Sequence, residues 1–427
     1  MRQAERLQSW REIAYEKPTC KDLTTDTWQE RGAITGRLDL SLPIPRNDYQ
    51  EINTPLCVLT PFITVYCNII MMAVSIAKGI CAAMAGGYIA KLAVNALAVS
   101  STAATFAAVA FGSFSALLFY ARVWIQGYYF DNRYTKRADL AGRVVIVTGG
   151  TVGGLGFAGA QLLCELGATI VLTVRSDAKG VEAASKLGAK TSYVLCDFSS
   201  VASVRQAAKQ ILQKHTRCDM LVLNAGVGSG DKARMWMSNH VGPYMFTELL
   251  RPLLESTAKA HGDVRICAVS SGAHKRAAID HDNPWEPGKA SPGALGGSAY
   301  GQSKLAQIMH LRALQAKMRA RPGLGGESTI RCIAVTPGFS LTNITVGAKP
   351  PPPARLLMWL MARSAHVGAM VIKMACIDPD VPGGSYLSNC YVKPSEGADG
   401  CSNSPEEWQR LIHTTERSVM TAETRFP

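Results

Sequence analysis

The sequence predicts an α/β fold, a doubly wound parallel sheet with an N-terminal membrane-embedded helical hairpin. Three observations predict it. Short β-branched runs alternate with helix-length segments from Val144 onward, a glycine-rich turn follows the first of those runs, and Lys78 and Lys91 are the only charges between Pro55 and Ala121. A length of 427 residues suits one α/β domain of about 250 residues plus an appendage. Apolar residues make up 47% and charged residues 18%, below the roughly 25% of a soluble domain, which excludes intrinsic disorder. The 12 cysteines are scattered without a CxxC pair or a His-rich companion, so no metal centre is expected. Cys164, Cys267 and Cys332 sit in apolar runs and read as small buried hydrophobes in a reducing compartment.

In chain order, residues 1–54 form a polar N-terminal segment whose mixed charges fit neither a cleaved signal peptide nor a mitochondrial presequence. Two transmembrane helices are expected within 55–121. Pro55 to Ala77 is 23 residues without charge and Leu92 to Ala121 is 30, each long enough to cross a bilayer core of about 30 Å. The alternative is a pair of buried core helices. Arg122, Arg133, Lys136, Arg137 and Arg143 follow the second span, which places both chain ends on the cytosolic side. The expected location is a membrane, the endoplasmic reticulum, with the α/β domain facing the cytosol.

The domain itself is expected over 140–395. Val144–Val147 is a buried-strand run, followed by Thr148-Gly149-Gly150-Thr151-Val152-Gly153-Gly154-Leu155-Gly156, a helix ending near Gly167, and a second run, Ile170–Val174. In such a Rossmann-type β-α-β unit the glycines let the backbone turn tightly and aim a helix N-terminus at a diphosphate. Arg175 stands where an acidic residue would accept ribose hydroxyls, with Asp177 two positions on. A guanidinium there pairs with a 2′-phosphate, favouring NADP(H) over NAD(H). Later runs end at Cys196-Asp197, at Asn224-Ala225-Gly226 and at Ser270-Ser271, each polar group lying where a parallel sheet gathers its ligand. Tyr300 and Lys304 are four apart and so share one helix face.

Through these motifs the chain resembles the short-chain dehydrogenase/reductase family, and within it the retinol-dehydrogenase-like group. The resemblance runs from about Gly142 to Lys393. It rests on the glycine turn, Asp197, Asn224-Ala225-Gly226, Ser238-Asn239-His240-Val241-Gly242, Val269-Ser270-Ser271, Tyr300-Gly301-Gln302-Ser303-Lys304 and Pro337-Gly338. It implies that Asn239, Ser271, Tyr300 and Lys304 are catalytic. By the same carry-over Asp197 contacts the adenine, Asn224 braces the central strand and Thr342 touches the nicotinamide or diphosphate. Thr148, Gly149, Gly154, Leu155, Gly156, Arg175, Ala225, Gly226, Tyr300, Lys304, Pro337 and Gly338 complete the cofactor set. One departure is an extra residue between Thr148-Gly149 and Gly154-Leu155-Gly156; another is the 28-residue stretch between Ser271 and Tyr300. In the implied chemistry Tyr300 exchanges a proton with a carbonyl oxygen held by Ser271, the Lys304 ammonium favours phenolate, and Asn239 keeps a water chain from Lys304 to solvent.

Past Gly338, four prolines at 350–353 precede Arg355-Leu356-Leu357-Met358-Trp359-Leu360-Met361, an apolar block suited to a greasy substrate, a membrane surface or simple core packing. Residues 396–427 are expected to form a C-terminal helix and tail, the helix starting at Ser404-Pro405 and running to about Val419. The net charge of +13 comes without aromatic-interleaved basic runs, so anionic cofactor and lipid head groups are expected partners and nucleic acid is not. The expected function is hydride transfer between NADP(H) and a small lipophilic alcohol or carbonyl (retinoid, steroid or fatty aldehyde), in a homodimer by family resemblance. The alternative is a catalytically silent NADP(H)-sensing scaffold at a membrane; a hairpin transporter with a regulatory domain is a remote third.

Overall fold

The computed structural model describes residues 101–130, 134–288, 299–321, 329–340, 352–395 and 398–427. The chain divides into two compact units, Met1–Tyr120 and Ala121–Pro427. The polar segment 1–54, the span Pro55–Ala77, the Lys78–Lys91 turn and the start of the second span lie outside the described residues. The rest of that second span belongs to helix α1 (Ser101–Phe130). Phe106, Val109, Phe111, Phe114, Leu117 and Tyr120 are exposed on it. Ala, Gly, Ser and Thr dilute its apolar side chains, and among the described residues no helix is long and apolar enough to cross a membrane.

The second unit begins with β1 (Val144–Thr148), α2 (Leu155–Cys164), β2 (Thr169–Val174), α3 (Asp177–Leu187) and β3 (Thr191–Leu195). Then follow α4 (Val201–Lys214), β4 (Met220–Leu223), α5 (Lys232–Trp236), a π-helical turn (Met237–Val241), α6 (Gly242–His261) and β5 (Val264–Val269). A 3₁₀ turn (Gly272–Arg276), α7 (Ala299–Arg319), β6 (Ile330–Thr336), α8 (Pro352–Met361), α9 (Ala365–Ile377), β7 (Tyr386–Ser388), β8 (Tyr391–Val392) and α10 (Pro405–Arg425) complete it. The sheet order is β3-β2-β1-β4-β5-β6-β7-β8, parallel except for the β7–β8 pair. Val145, Ile146 and Val147 have no exposed surface because helices cover both faces of a parallel sheet, which is why these strands read as unbroken apolar runs. The order reverses between β1 and β4, so the crevice where an α/β sheet takes its ligand opens there.

On one face α2 lies over β1 and β2 and packs against α9, which lies over β5 and β6, with Gly159 close against Ile372. On the other, α7 packs against β6 and is covered by α10. The last helix runs past Val419 to Arg425 because its polar stripe is not a solvated face. Thr414, Thr415 and Ser418 are buried and bonded to His281 (2.9 Å), His240 (2.8 Å) and Trp236 (3.1 Å). Ser404 caps its N-terminus by accepting from the Glu407 amide. Cys267 and Cys332 are buried as expected and Cys164 is half-buried.

This packing makes the fold acid-sensitive. His310 is buried beside Tyr244, with ring centroids 4.9 Å apart, and its Nε2 has no hydrogen-bond partner among the described residues. Burial, with a smaller contribution from Lys317, pushes its pKa down to about 3. A folded-state pKa below the unfolded value of about 6.5 means that the unfolded chain binds the proton first, so stability is lost as pH falls below about 6.5. Chemical unfolding at pH 7 and pH 5 should show a loss in the parent exceeding that in His310→Phe by about 2 kcal/mol. Equal losses would rule this residue out as the cause.

Candidate active site

Thr148, Arg175, Asp197, Asn224, Ser271 and Pro337 lie at or just past the carboxyl ends of strands, and hydrogen bonds tie the ends of β1 and β4 together. Thr148 closes β1, and its Oγ1 accepts from the backbone amides of Asn224 (2.8 Å) and Ala225 (2.9 Å) just past β4. The Asn224 amide donates back to the carbonyls of Thr148 (2.9 Å) and Gly149 (3.2 Å). This reciprocal clamp fixes the crevice at the strand-order reversal. Gly149 has φ +70° and Gly153 +78°, and the extra residue is taken up in this turn, so that Gly154, Leu155 and Gly156 still open α2. A Cβ on Gly156 would stand 2.4 Å from Asn224 Nδ2 and 2.7 Å from the Gly149 carbonyl. Gly154 is the N-cap without a side-chain cap, and the helical ladder begins with Ala158 donating to Gly154 at 3.1 Å. The Leu155, Gly156 and Phe157 amides therefore have no intrahelical acceptor, which is what a phosphate needs.

Arg175 is exposed directly after β2. Asp177, the first residue of α3, accepts from the Tyr193 hydroxyl at 2.7 Å. Asp197, after β3, accepts the amide (2.9 Å) and hydroxyl (2.7 Å) of Ser199. A Cβ on Gly226 would lie 3.0 Å from Asn239 Oδ1 and 3.5 Å from Lys304 Nζ, so this glycine lets the backbone pass over both. Pro337 and Gly338 follow β6, with Gly338 at φ +72° against the Arg363 guanidinium. Thr342 lies outside the described residues.

The four residues expected to be catalytic converge from three elements. Ser271, between β5 and the 3₁₀ turn, hydrogen-bonds the Tyr300 hydroxyl. Tyr300 and Lys304 are one turn apart on α7, and Lys304 Nζ lies 5.7 Å from the Tyr300 ring centroid. Burial holds the Tyr300 phenol above its ordinary value, and the Ser271 bond opposes this only in part. Burial also brings Lys304 down to about 8. Desolvation thus dominates at the phenol, and the contribution that lowers it comes from Ser271 and not from the expected ammonium.

Lys304 donates to the Val269 carbonyl (2.8 Å) and to Gln307 Oε1 (3.1 Å). Gln307 Nε2 donates to the backbone carbonyl of Asn239 at 2.6 Å. Asn239 lies in the π-helical turn, and its side chain is bonded to both backbone groups of Val227 (2.7 and 2.9 Å) and to Ser303 Oγ (3.0 Å). Asn239 is thus joined to Lys304 by a protein group, the Gln307 amide. Gln307 escaped the sequence reading, although a position three beyond Lys304 on the same helix is a geometric signal for it.

The family model for short chain dehydrogenases matches residues 143–279. Dehydrogenase/reductase SDR family member 13 of Bos taurus is 31% identical over 271 residues, covering 60% of this chain and 68% of that one. Polyprenol dehydrogenase of Homo sapiens is 29% identical over 285 residues, covering 62% and 81%. A crystallised protein from Mycobacterium paratuberculosis superposes with a TM-score of 0.50 at 25% identity, over 67% of this chain and 96% of its own.

Proposed function

Since the chain belongs to the short-chain dehydrogenase/reductase family and is thereby an oxidoreductase of a nicotinamide cofactor, we propose that it passes hydride between NADP(H) and a lipophilic alcohol or carbonyl at a membrane. The observation that carries this reading is the convergence of Ser271, Tyr300 and Lys304 at the crevice formed by Thr148, Gly149, Gly156 and Asn224.

The residues present fit a dinucleotide. Gly156 lets the start of α2 close against Asn224 and the Gly149 carbonyl, where a Cβ would clash, and the first-turn amides of α2 offer donors to a diphosphate, with Gly154 and Leu155 setting their direction. Arg175 is exposed where a 2′-phosphate would sit, while Asp177 is engaged by Tyr193; both features favour NADP(H). Asp197, Ala225, Gly226, Pro337, Gly338 and Thr342 complete the proposed binding set. When bound, the nicotinamide supplies or takes the hydride, and its oxidised form carries a positive charge that favours phenolate.

In the reducing direction Tyr300 gives its hydroxyl proton to the carbonyl oxygen, and the Ser271 hydroxyl donates a hydrogen bond to that oxygen as negative charge develops. The Lys304 ammonium, fixed by Val269 and Gln307, stabilises the resulting phenolate, and its third N–H is available to a ribose hydroxyl. Asn239 ties the π-helical turn to α7 through Ser303 and Gln307. In the oxidising direction the same groups act in reverse, with the phenolate as base.

The uncharged runs before Ala121 and the exposed apolar side chains of α1 support membrane anchoring. Exposed Leu356 and Trp359 on α8 favour a greasy substrate side, and the name of the human relative adds long isoprenoid alcohols to retinoids, steroids and fatty aldehydes as the substrate class. A homodimer in the endoplasmic reticulum membrane, with the α/β domain in the cytosol, completes the proposal. Washed membranes carrying the chain should consume NADPH, in preference to NADH, with at least one member of a panel of retinal, ketosteroids, polyprenals and long-chain aldehydes. Activity confined to the supernatant contradicts the anchoring, and an NADH preference contradicts the cofactor assignment. No consumption across the panel contradicts the redox reading.

A further inference from the structure

Asn239 lies in the π-helical turn, whose carbonyls pair with amides five residues on, as Met237 does with Gly242. Pro243, four residues beyond Asn239, has no N–H, so an α-helical register is closed at this point of the chain. Gly242 is pressed against Phe198, where a Cβ would meet the Phe198 carbonyl at 2.5 Å, so the turn is held from the opposite side. The Asn239 carbonyl accepts from Gln307 Nε2 at 2.6 Å, and the other end of the same amide accepts from Lys304 Nζ at 3.1 Å. Gln307 is buried, so both ends of its amide are matched away from water, where an unmatched polar group is costly.

We propose that Gln307 is the positioning residue of this site: its amide joins the Asn239 carbonyl to the Lys304 ammonium and holds that ammonium against the Val269 carbonyl, behind Tyr300. This rests on the functional reading above and adds a residue to it. The geometry assigns the amide two directional roles. Its oxygen faces a cation and stabilises the charged form of Lys304, and its nitrogen donates to the Asn239 carbonyl. A carboxylate at 307 keeps the first role and loses the second, and a thioether loses both.

The environment of Lys304 makes this measurable. Both of its hydrogen-bond partners are neutral, Val269 on β5 and Gln307 on its own helix. From the Asn239 side Gly226 passes over Nζ, and Tyr300 is the titratable group facing it among the described residues. With burial already bringing the lysine to about 8, the partner at 307 decides which way it moves.

The test labels lysine side chains of the full chain with ¹³C at the ε position and follows the Lys304 signal, identified by its loss in Lys304→Met, against pH. In Gln307→Met the midpoint should fall by about one pH unit, and in Gln307→Glu it should rise by about one unit or more. A merely structural role does not move one group in opposite directions. Turnover at neutral pH should fall about tenfold in Gln307→Met with KM for the carbonyl substrate unchanged. Midpoints that stay at the parent value, or move the same way in both folded variants, overturn the proposal. The NMR readout needs no turnover, so a chain that consumes no NADPH but shows the opposed shifts refutes the redox reading while the positioning role stands.

Discussion

Tyr300→Phe should bind NADPH as the parent does and lose at least about a thousandfold in turnover, within the range that general acid catalysis contributes. The substitution removes one oxygen. The ring stays packed on α7, and Lys304 keeps both bonds, to Val269 and Gln307, neither of which involves the phenol. What is lost is the proton donor bonded to Ser271. Cofactor affinity is measured by fluorescence titration and turnover by NADPH consumption, so the two effects separate. A variant with parental turnover excludes Tyr300 as the acid. A variant that binds no NADPH shows instead that the phenol shapes the cofactor site.

Gly156→Ala should weaken NADPH by about a hundredfold and lower stability by about 1–3 kcal/mol, the usual cost of overpacking. The new methyl would stand 2.4 Å from Asn224 Nδ2 and 2.7 Å from the Gly149 carbonyl, and only the first of these belongs to a side chain. Relief requires moving either the start of α2 or the clamp between β1 and β4, and both carry the amides assigned to the diphosphate. Gly288→Ala is the control, since nothing lies within 4 Å of a Cβ there. A folded Gly156→Ala protein with parental NADPH affinity removes the glycine turn from the proposed site.

The sheet was readable because its strands are buried on both faces. Val144–Val147 and Met220–Leu223 are continuous apolar runs and Ile170–Val174 is broken only by Thr173, and the turn after the first is rich in glycine for reasons of approach that the structure makes explicit at Gly156. Tyr300 and Lys304 were legible from their spacing within that pattern. Gln307 was marked only by its spacing from Lys304; its role depends on facing the Asn239 carbonyl, which belongs to another element. The buried stripe of α10 was equally hidden. Thr414, Thr415 and Ser418 look like a solvated face until His281, His240 and Trp236 are found opposite them. Desolvation at Tyr300 and Lys304 also needed the fold, since sequence gives the charges near a group but not the depth at which it sits.

The most direct test of hydride transfer at this site uses NADPH carrying deuterium at the transferable ring position, incubated with the full chain in detergent and whichever lipophilic carbonyl supports consumption. Mass spectrometry of the alcohol should find one deuterium at the former carbonyl carbon with the parent and none with Tyr300→Phe. Alcohol formed without the label, or labelled equally in both proteins, would contradict the account.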